Sequence, residues 1–316
     1  MAPSGKVGVG FLYSGQATSL GRQKRAFRNE LKKFGYEDGK NIDFKHLEAD
    51  DDYQGNLPKH AKHLIETDKV AVLVAAGGPV SAFAAKQATA AQANPTPVVF
   101  TSVTDPVGSG LYVTDGNLTG VAGMTTEFDA ARLRLLQELV PGITEIWVLV
   151  NPNRPDVVAQ MKRLQQGKHP KVNLRQADAG VLGKPGTSKD ISDAIGGLPS
   201  TAQALLVTAD PFFNSRRPDV IGAVSAKKIP AIYQWREFVE EGGLMSFGPR
   251  LDEEYSAAAR CLAIILDALT AKKPVTPGDI PLFQPTKTEL VINLTTASDQ
   301  NLKVPQTLLD RAEQIS

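Results

Sequence analysis

Strand-length apolar runs alternate with helix-period segments along this whole chain, and few architectures accept that pattern. Residues 6–12 (KVGVGFL) read as a buried strand. Leu20, Ala26, Phe27, Leu31 and Phe34 then recur at helical spacing over 19–34, until Gly35 stops the helix. A strand over 42–47, a helix over 53–66, a strand over 70–75, an alanine-rich helix from Pro79 and a strand over 97–101 follow. Strands separated by helices predict a parallel sheet with helices on both faces.

After a strand at 119–122 the alternation starts again. A helix over 128–140, a strand over 146–150, a helix over 156–166 and strands over 172–176 and 204–207 lead to a helix after Pro211 and strands at 230–233 and 244–247. At 316 residues the chain is too long for one ordinary core, so the expected fold is α/β with two doubly wound parallel-sheet lobes. A long amphipathic helix over 251–271, a strand over 289–294 and a short final helix exceed what the second lobe needs. The expected division is therefore 1–122 with roughly 249–285 for the first lobe, and 123–248 with roughly 286–316 for the second, joined by three crossovers that form a hinge.

In open parallel sheets ligands sit at the carboxyl ends of strands, where helix N-termini present unpaired amides. The stretch Gly77-Gly78-Pro79-Val80-Ser81 joins an apolar strand to the alanine-rich helix at such a place. The glycines let a ligand approach the backbone, Pro79 suits the first helical turn, and Ser81 offers a hydroxyl to an anion. A tight strand-to-helix turn accounts for the same residues equally well. Tyr13, Ser14 and Gln16 follow the first strand, Ser102 and Asp105 the fourth, and Asn151, Asp210, Phe212, Tyr233 and Arg236 lie at matching positions of the second lobe. Helix capping ahead of proline is the plainer role for Asp105 and Asp210. Trp235 and Phe213 join Phe212 and Tyr233 as candidate apolar walls.

Enzyme and cofactor signatures are missing where they would show. Gly8-Val-Gly10 lacks the third glycine of a dinucleotide fingerprint, there is no phosphate loop, and Gly108-Ser109-Gly110 is too short for a nucleophile elbow. Glycine and proline mark 180–187 (GVLGKPGT) as a surface loop. No cofactor is expected. His46, His60, His63 and His169 are scattered and lack the partners of a metal site. The runs Asp50-Asp51-Asp52, Glu240-Glu241 and Asp252-Glu253-Glu254 read as charged loops or helix starts. Cys261, the single cysteine, sits in an apolar helical pattern and reads as a buried, inert thiol.

Thirty-five Lys and Arg against 34 Asp and Glu, with no basic stretch interleaved with aromatics, argue against a nucleic-acid partner. No apolar run approaches the roughly 20 residues of a membrane span. A strand from Lys6 leaves no room for a signal peptide, so either the protein is cytosolic or its leader is missing from this sequence, as in a mature or trimmed form.

Several segments, in this order, resemble one family: Phe34-Gly-Tyr-Glu-Asp-Gly-Lys-Asn41, Ala85-Lys-Gln-Ala88, Val103-Thr-Asp-Pro-Val107, Asn117-Leu-Thr-Gly-Val121, Ile232-Tyr233, Glu237-Phe238, Gly242-Gly-Leu-Met-Ser246, Gln284-Pro-Thr-Lys287 and Leu290-Val-Ile-Asn-Leu294. They are similar to the periplasmic or lipid-anchored substrate-binding proteins of ABC transporters, in the group that includes tryptophan and tyrosine uptake components. The resemblance spans nearly the whole chain and implies a type I periplasmic-binding-protein fold, with a ligand held between two lobes. It further implies a non-enzymatic, extracytoplasmic receptor for an amino acid or related carboxylate, with the transmembrane subunits of an ABC permease as partner. A monomer is expected. On this resemblance Gly77-Gly78-Pro79 becomes the first lobe's cradle for a ligand carboxylate, Asp105 or Asp210 a site for an amine, and Arg236 a site for a second anionic group. Asp210-Pro-Phe-Phe213 departs from the family, where an Asp followed by small polar residues is usual.

Two other classes compete. The effector domain of a transcription regulator shares this fold, but residues 1–5 hold no helix-turn-helix. A two-lobed α/β enzyme such as a racemase or lyase needs a nucleophile or acid/base pair, and Cys261 has no histidine near it in sequence.

Overall fold

The computed structural model describes residues 5–123, 125–167, 172–273, 275–285 and 287–316, with side chains of 125–127 excepted. In chain order the elements are β1 (Val7–Tyr13), α1 (Gly21–Lys33), β2 (Ile42–Glu48), α2 (Asn56–Glu66), β3 (Val72–Ala76), α3 (Pro79–Thr89), β4 (Val98–Val103) and β5 (Leu118–Ala122). Then come α4 (Thr125–Leu139), β6 (Glu145–Val150), α5 (Val157–Gln166), β7 (Asn173–Asp178), α6 (Ser188–Gly196), β8 (Leu205–Val207), α7 (Pro211–Ser215), α8 (Arg217–Lys227), β9 (Ala231–Tyr233), α9 (Arg236–Glu240) and β10 (Met245–Pro249). The chain ends with α10 (Leu251–Thr270), β11 (Thr288–Asn293), α11 (Leu294–Asp299), α12 (Gln306–Leu309) and β12 (Glu313–Ile315).

Two compact units result, Met1–Met124 with Leu251–Pro285 and Thr125–Arg250 with Thr286–Ser316. In the first, five parallel strands run in the order β2-β1-β3-β4-β5. β3 (VLVAA) is buried at every position, as expected of a central parallel strand covered on both faces. α10 packs on α1 and crosses β4 and β5, tied by Tyr36 Oη to Asp267 at 2.6 Å and by Arg260 to Glu30 at 3.0 Å. Its face carries Leu251, Tyr255, Ala258, Leu262, Ile265 and Leu266, so helical periodicity dictates the docking.

The second unit has the order β12-β11-β10-β9-β8-β6-β7. Its core gathers Leu133, Leu136, Ile146, Val148, Leu206, Ile232 and Met245. Two features depart from the sequence reading. β11 runs antiparallel to β10, and the tail holds α11, α12 and then an edge strand, β12, where one short helix was expected. α6 was also missed, although Thr187 and Asp190 form a reciprocal capping box at its start. The glycine and proline marks of 180–187 obscured the helix behind them.

β12 is held by more than its backbone ladder. Arg236 donates to Glu240 and Glu289 at 2.7 Å and to Glu313 of β12 at 2.7 Å, and bonding to Glu313 raises its pKa further. Arg236→Met is expected to lower stability by about 1–2 kcal/mol, measured by denaturant titration, and to free β12 for rapid amide exchange. Ligand affinity should stay within about twofold if this network is purely structural.

Candidate ligand-binding site

Lobe 1 builds its carboxyl edge around the start of α3. The chain leaves β3 through Gly77 and Gly78, both left-handed at φ +93° and +80°, and Pro79 occupies the first helical turn. No side chain caps α3 among the described residues, so its first amides stay open. Ser81, two residues further on, is fully buried, and its hydroxyl has no partner among the described residues. Open amides, the positive end of an 11-residue helix and an unmet hydroxyl thus share one place, which suits an anion.

Neighbouring strand ends lock this cradle. The Gly77 amide donates to Thr101 Oγ1 at 3.2 Å, and Ser14 Oγ donates to the Gly77 carbonyl at 3.2 Å. A side chain on Gly77 would run into Ser14 and the Tyr13 ring, whose Cε2 lies 2.9 Å from the position of an added Cβ. At Gly78 the nearest atom, the Ser102 carbonyl, is 3.5 Å away, so the tighter constraint falls on Gly77. Tyr13 is buried with its hydroxyl 2.9 Å from Ser19 Oγ, while the Gln16 carbonyl accepts from the Ser19 amide and hydroxyl. Ser102 takes a left-handed φ of +55°, where β4 slips register against β5, and donates its hydroxyl to Glu254 in the first turn of α10.

Lobe 2 brings three predicted residues to adjacent strand ends. Asn151 leaves β6, Asp210 follows β8, and Tyr233 ends β9. Asn151 Nδ2 donates to Asp210 Oδ1 at 3.3 Å, and that carboxylate also caps α7 through the Phe212 amide at 2.8 Å. Behind them runs a buried polar chain. Arg154 donates to the Ala209 carbonyl, Asp156 and Gln160; Gln160 Nε2 donates to Asp129 at 2.6 Å; Arg132 donates to Asp129 at 2.5 Å and to the Phe247 carbonyl at 2.7 Å. Burial pulls the Asp129 carboxyl above its usual range against the pull of Arg132, and burial likewise lowers Arg132.

Two sequence readings need correction. Arg236 is not open to a second anion, because its donors are taken by three glutamates around β12. Phe212 is no wall for a ligand: it is fully buried, stacked under Arg216 at 4.9 Å and packed beneath Gly186 and Phe213. Asp105 is exposed and holds its own turn through the Gly108 amide at 2.8 Å. Glu254 stands in the first turn of α10, as its acidic run suggests, and is 1% exposed; its spacing from Leu251, three residues, and Ala258, four, places it on the buried face. Tyr233 is buried and stacks on Phe238, centroids 4.7 Å apart.

Sequence reasoning missed Asp129, Arg132, Arg154 and Gln160. Isolated polar residues in helical patterns give no sign that they point inward. Cys261 is buried, which pushes its thiol up to about 12. Among the described residues no group of three or more His, Cys, Asp or Glu could hold a metal, and no helix is long and apolar enough to cross a membrane. His169 lies outside the described residues.

Two doubly wound lobes connected by three chain crossings define the type I periplasmic-binding-protein fold. The chain belongs to the ABC transporter substrate binding protein family, whose model matches residues 6–316. A tyrosine-binding protein of Clostridioides difficile strain R20291 is 29% identical over 279 residues, covering 87% of this chain and 75% of that protein. Two solved structures share the fold at a TM-score of 0.82. One is a conserved domain protein of Vibrio cholerae, 24% identical over 99% of this chain and 100% of that one. The other is an ABC domain from Streptococcus pneumonia in complex with L-Trp, 20% identical over 99% and 100%.

Proposed function

We propose that this protein is the extracytoplasmic receptor of an ABC importer, binding a small polar ligand, an amino acid or related carboxylate, whose carboxylate rests on the N-terminus of α3. The observation that carries this reading is Ser81, a buried hydroxyl with no partner beside open helix amides and two left-handed glycines. A carboxylate accepts from both kinds of donor, and charge-assisted bonds of this sort are about twice as strong as neutral ones. In lobe 2 the Asn151–Asp210 pair supplies a carboxylate for the ligand ammonium. The tyrosine-binding protein of C. difficile and the S. pneumonia domain in complex with L-Trp support an amino-acid ligand.

A ligand that engages both lobes favours their closed arrangement by its differential affinity for it, and the importer's transmembrane subunits read that arrangement. The chain acts as a monomer and performs binding without turnover. Its single thiol is buried with a raised pKa, which leaves it a poor nucleophile.

Native mass spectrometry of the purified protein, followed by a thermal-shift screen of amino acids, small acids, nucleosides and sugars, tests the proposal. An amino acid present at 100 times its dissociation constant should add about 2.7 kcal/mol of stability. A sugar or nucleoside that stabilises where every amino acid fails would refute the carboxylate cradle.

A further inference from the structure

Three consecutive residues leaving β9 carry buried polar atoms that find no hydrogen-bond partner among the described residues: Tyr233 Oη, both amide atoms of Gln234, and Trp235 Nε1. Gln234 is the extreme case. It is fully buried, and neither its carbonyl nor its amide nitrogen is satisfied. Buried polar side chains in folded proteins are overwhelmingly hydrogen-bonded, so an amide with both ends open marks a place where a partner is received.

Its location narrows the partner. β9, β8 and β6 are adjacent in the sheet, so Gln234, Asp210 and Asn151 leave three neighbouring strands at their carboxyl ends. Asn151 and Asp210 already bond each other, and Asp210 caps α7, whereas Gln234 has its full capacity to spare. The Gln234 backbone is also fixed. Its carbonyl lies so close to Gly248 that any side chain there would collide with it. Ile232 packs in the core with Leu133 and Leu136 of α4, while Tyr233 stacks on Phe238.

From this we infer that Gln234 reads the ligand's side chain, and that the ligand is an amino acid whose side chain ends in a group that both donates and accepts, such as a phenol, hydroxyl or amide. This rests on the receptor reading above, which assigns the ligand carboxylate to α3 and its ammonium to Asp210. An ammonium only donates and a carboxylate only accepts, so either would leave half of the Gln234 amide unmet. A side-chain tip that both donates and accepts completes it.

Isothermal titration of the wild type and Gln234→Met with matched ligand pairs tests the assignment: tyrosine against phenylalanine, threonine against valine, and glutamine against methionine. Wild type should prefer the polar member of the pair it binds by about 100-fold, since a site built to bond a group rejects its absence strongly. In Gln234→Met that preference should fall to within about threefold, with the apolar member bound as well as before. Unliganded Gln234→Met should melt at or above the wild-type temperature, because an unpartnered polar group has been removed. Gln234→Glu, which keeps the acceptor, serves as second variant and should retain the preference for hydroxyl-bearing ligands.

A wild type that binds both members of a pair equally, or a preference that survives in Gln234→Met, overturns the Gln234 assignment and leaves the receptor reading standing. A buried water that satisfies the amide would give the second of these results. Binding of no amino acid at all would overturn both readings together.

Discussion

Arg132→Met should lower the unfolding free energy by about 3–5 kcal/mol, the loss expected when one partner of a buried ion pair is removed. Arg132 and Asp129 are both fully buried, joined at 2.5 Å, and Asp129 is further held by Gln160. Without the guanidinium, a carboxylate remains in the interior with its pKa already raised by burial, and it regains little from the single amide. The Phe247 carbonyl loses its donor at the same time. The double variant Asp129→Leu/Arg132→Met discriminates between causes. If the stranded charge dominates, the double variant recovers most of the loss; if packing of the long side chain dominates, it is no more stable than the single variant. Calorimetry of the four proteins of this cycle gives the answer.

Gly77→Val should remove ligand binding with a smaller effect on the rest of the fold. At φ +93° a β-branched residue is strained by about 1–3 kcal/mol, and the added atoms meet Ser14 and the Tyr13 ring. Relief requires the Gly77 backbone to swing away, which breaks its bonds to Thr101 and Ser14 and re-aims the first amides of α3. Affinity should drop at least about 100-fold in titration calorimetry, with circular dichroism unchanged. Gly78→Ala is the milder control. Gly78 also has a positive φ, but an added Cβ meets nothing closer than 3.5 Å, so strain acts there without collision. Equal affinity in wild type and Gly77→Val would remove α3 from the binding site.

Much of this architecture is legible in the residues. VLVAA followed by Gly-Gly-Pro can hardly be anything but a buried strand entering a helix, and the strand ends follow from the same alternation. The antiparallel β11 and the edge strand β12 were not legible, since periodicity reports burial and says nothing of strand direction. For the candidate site, residues positioned by backbone requirements could be read: Gly77, Pro79 and Asp210 stand where turn and cap chemistry demands them. Those positioned by tertiary packing could not. Arg236 opens α9 just past a strand end beside aromatic residues, and only the fold brings Glu289 and Glu313 against it. Gln234 sits two residues away and looks no different in sequence, yet both ends of its amide are open among the described residues.

The three crossings have a consequence for how the molecule is made. Neither unit is a continuous piece of chain, since Leu251–Pro285 belongs with Met1–Met124 and Thr286–Ser316 with Thr125–Arg250. As the chain is synthesised, the first sheet emerges long before α10, the helix that lies across β4 and β5 and beside α1. Until then the apolar surfaces meant for Tyr255, Leu262 and Leu266 stay uncovered, and loop closure over the intervening segment must precede their burial. The first unit therefore completes its core only after most of the second has been made, and the second waits in turn for β11 to extend its sheet. Folding of this chain is therefore expected to be interleaved, with α10 and β11 joining their units late.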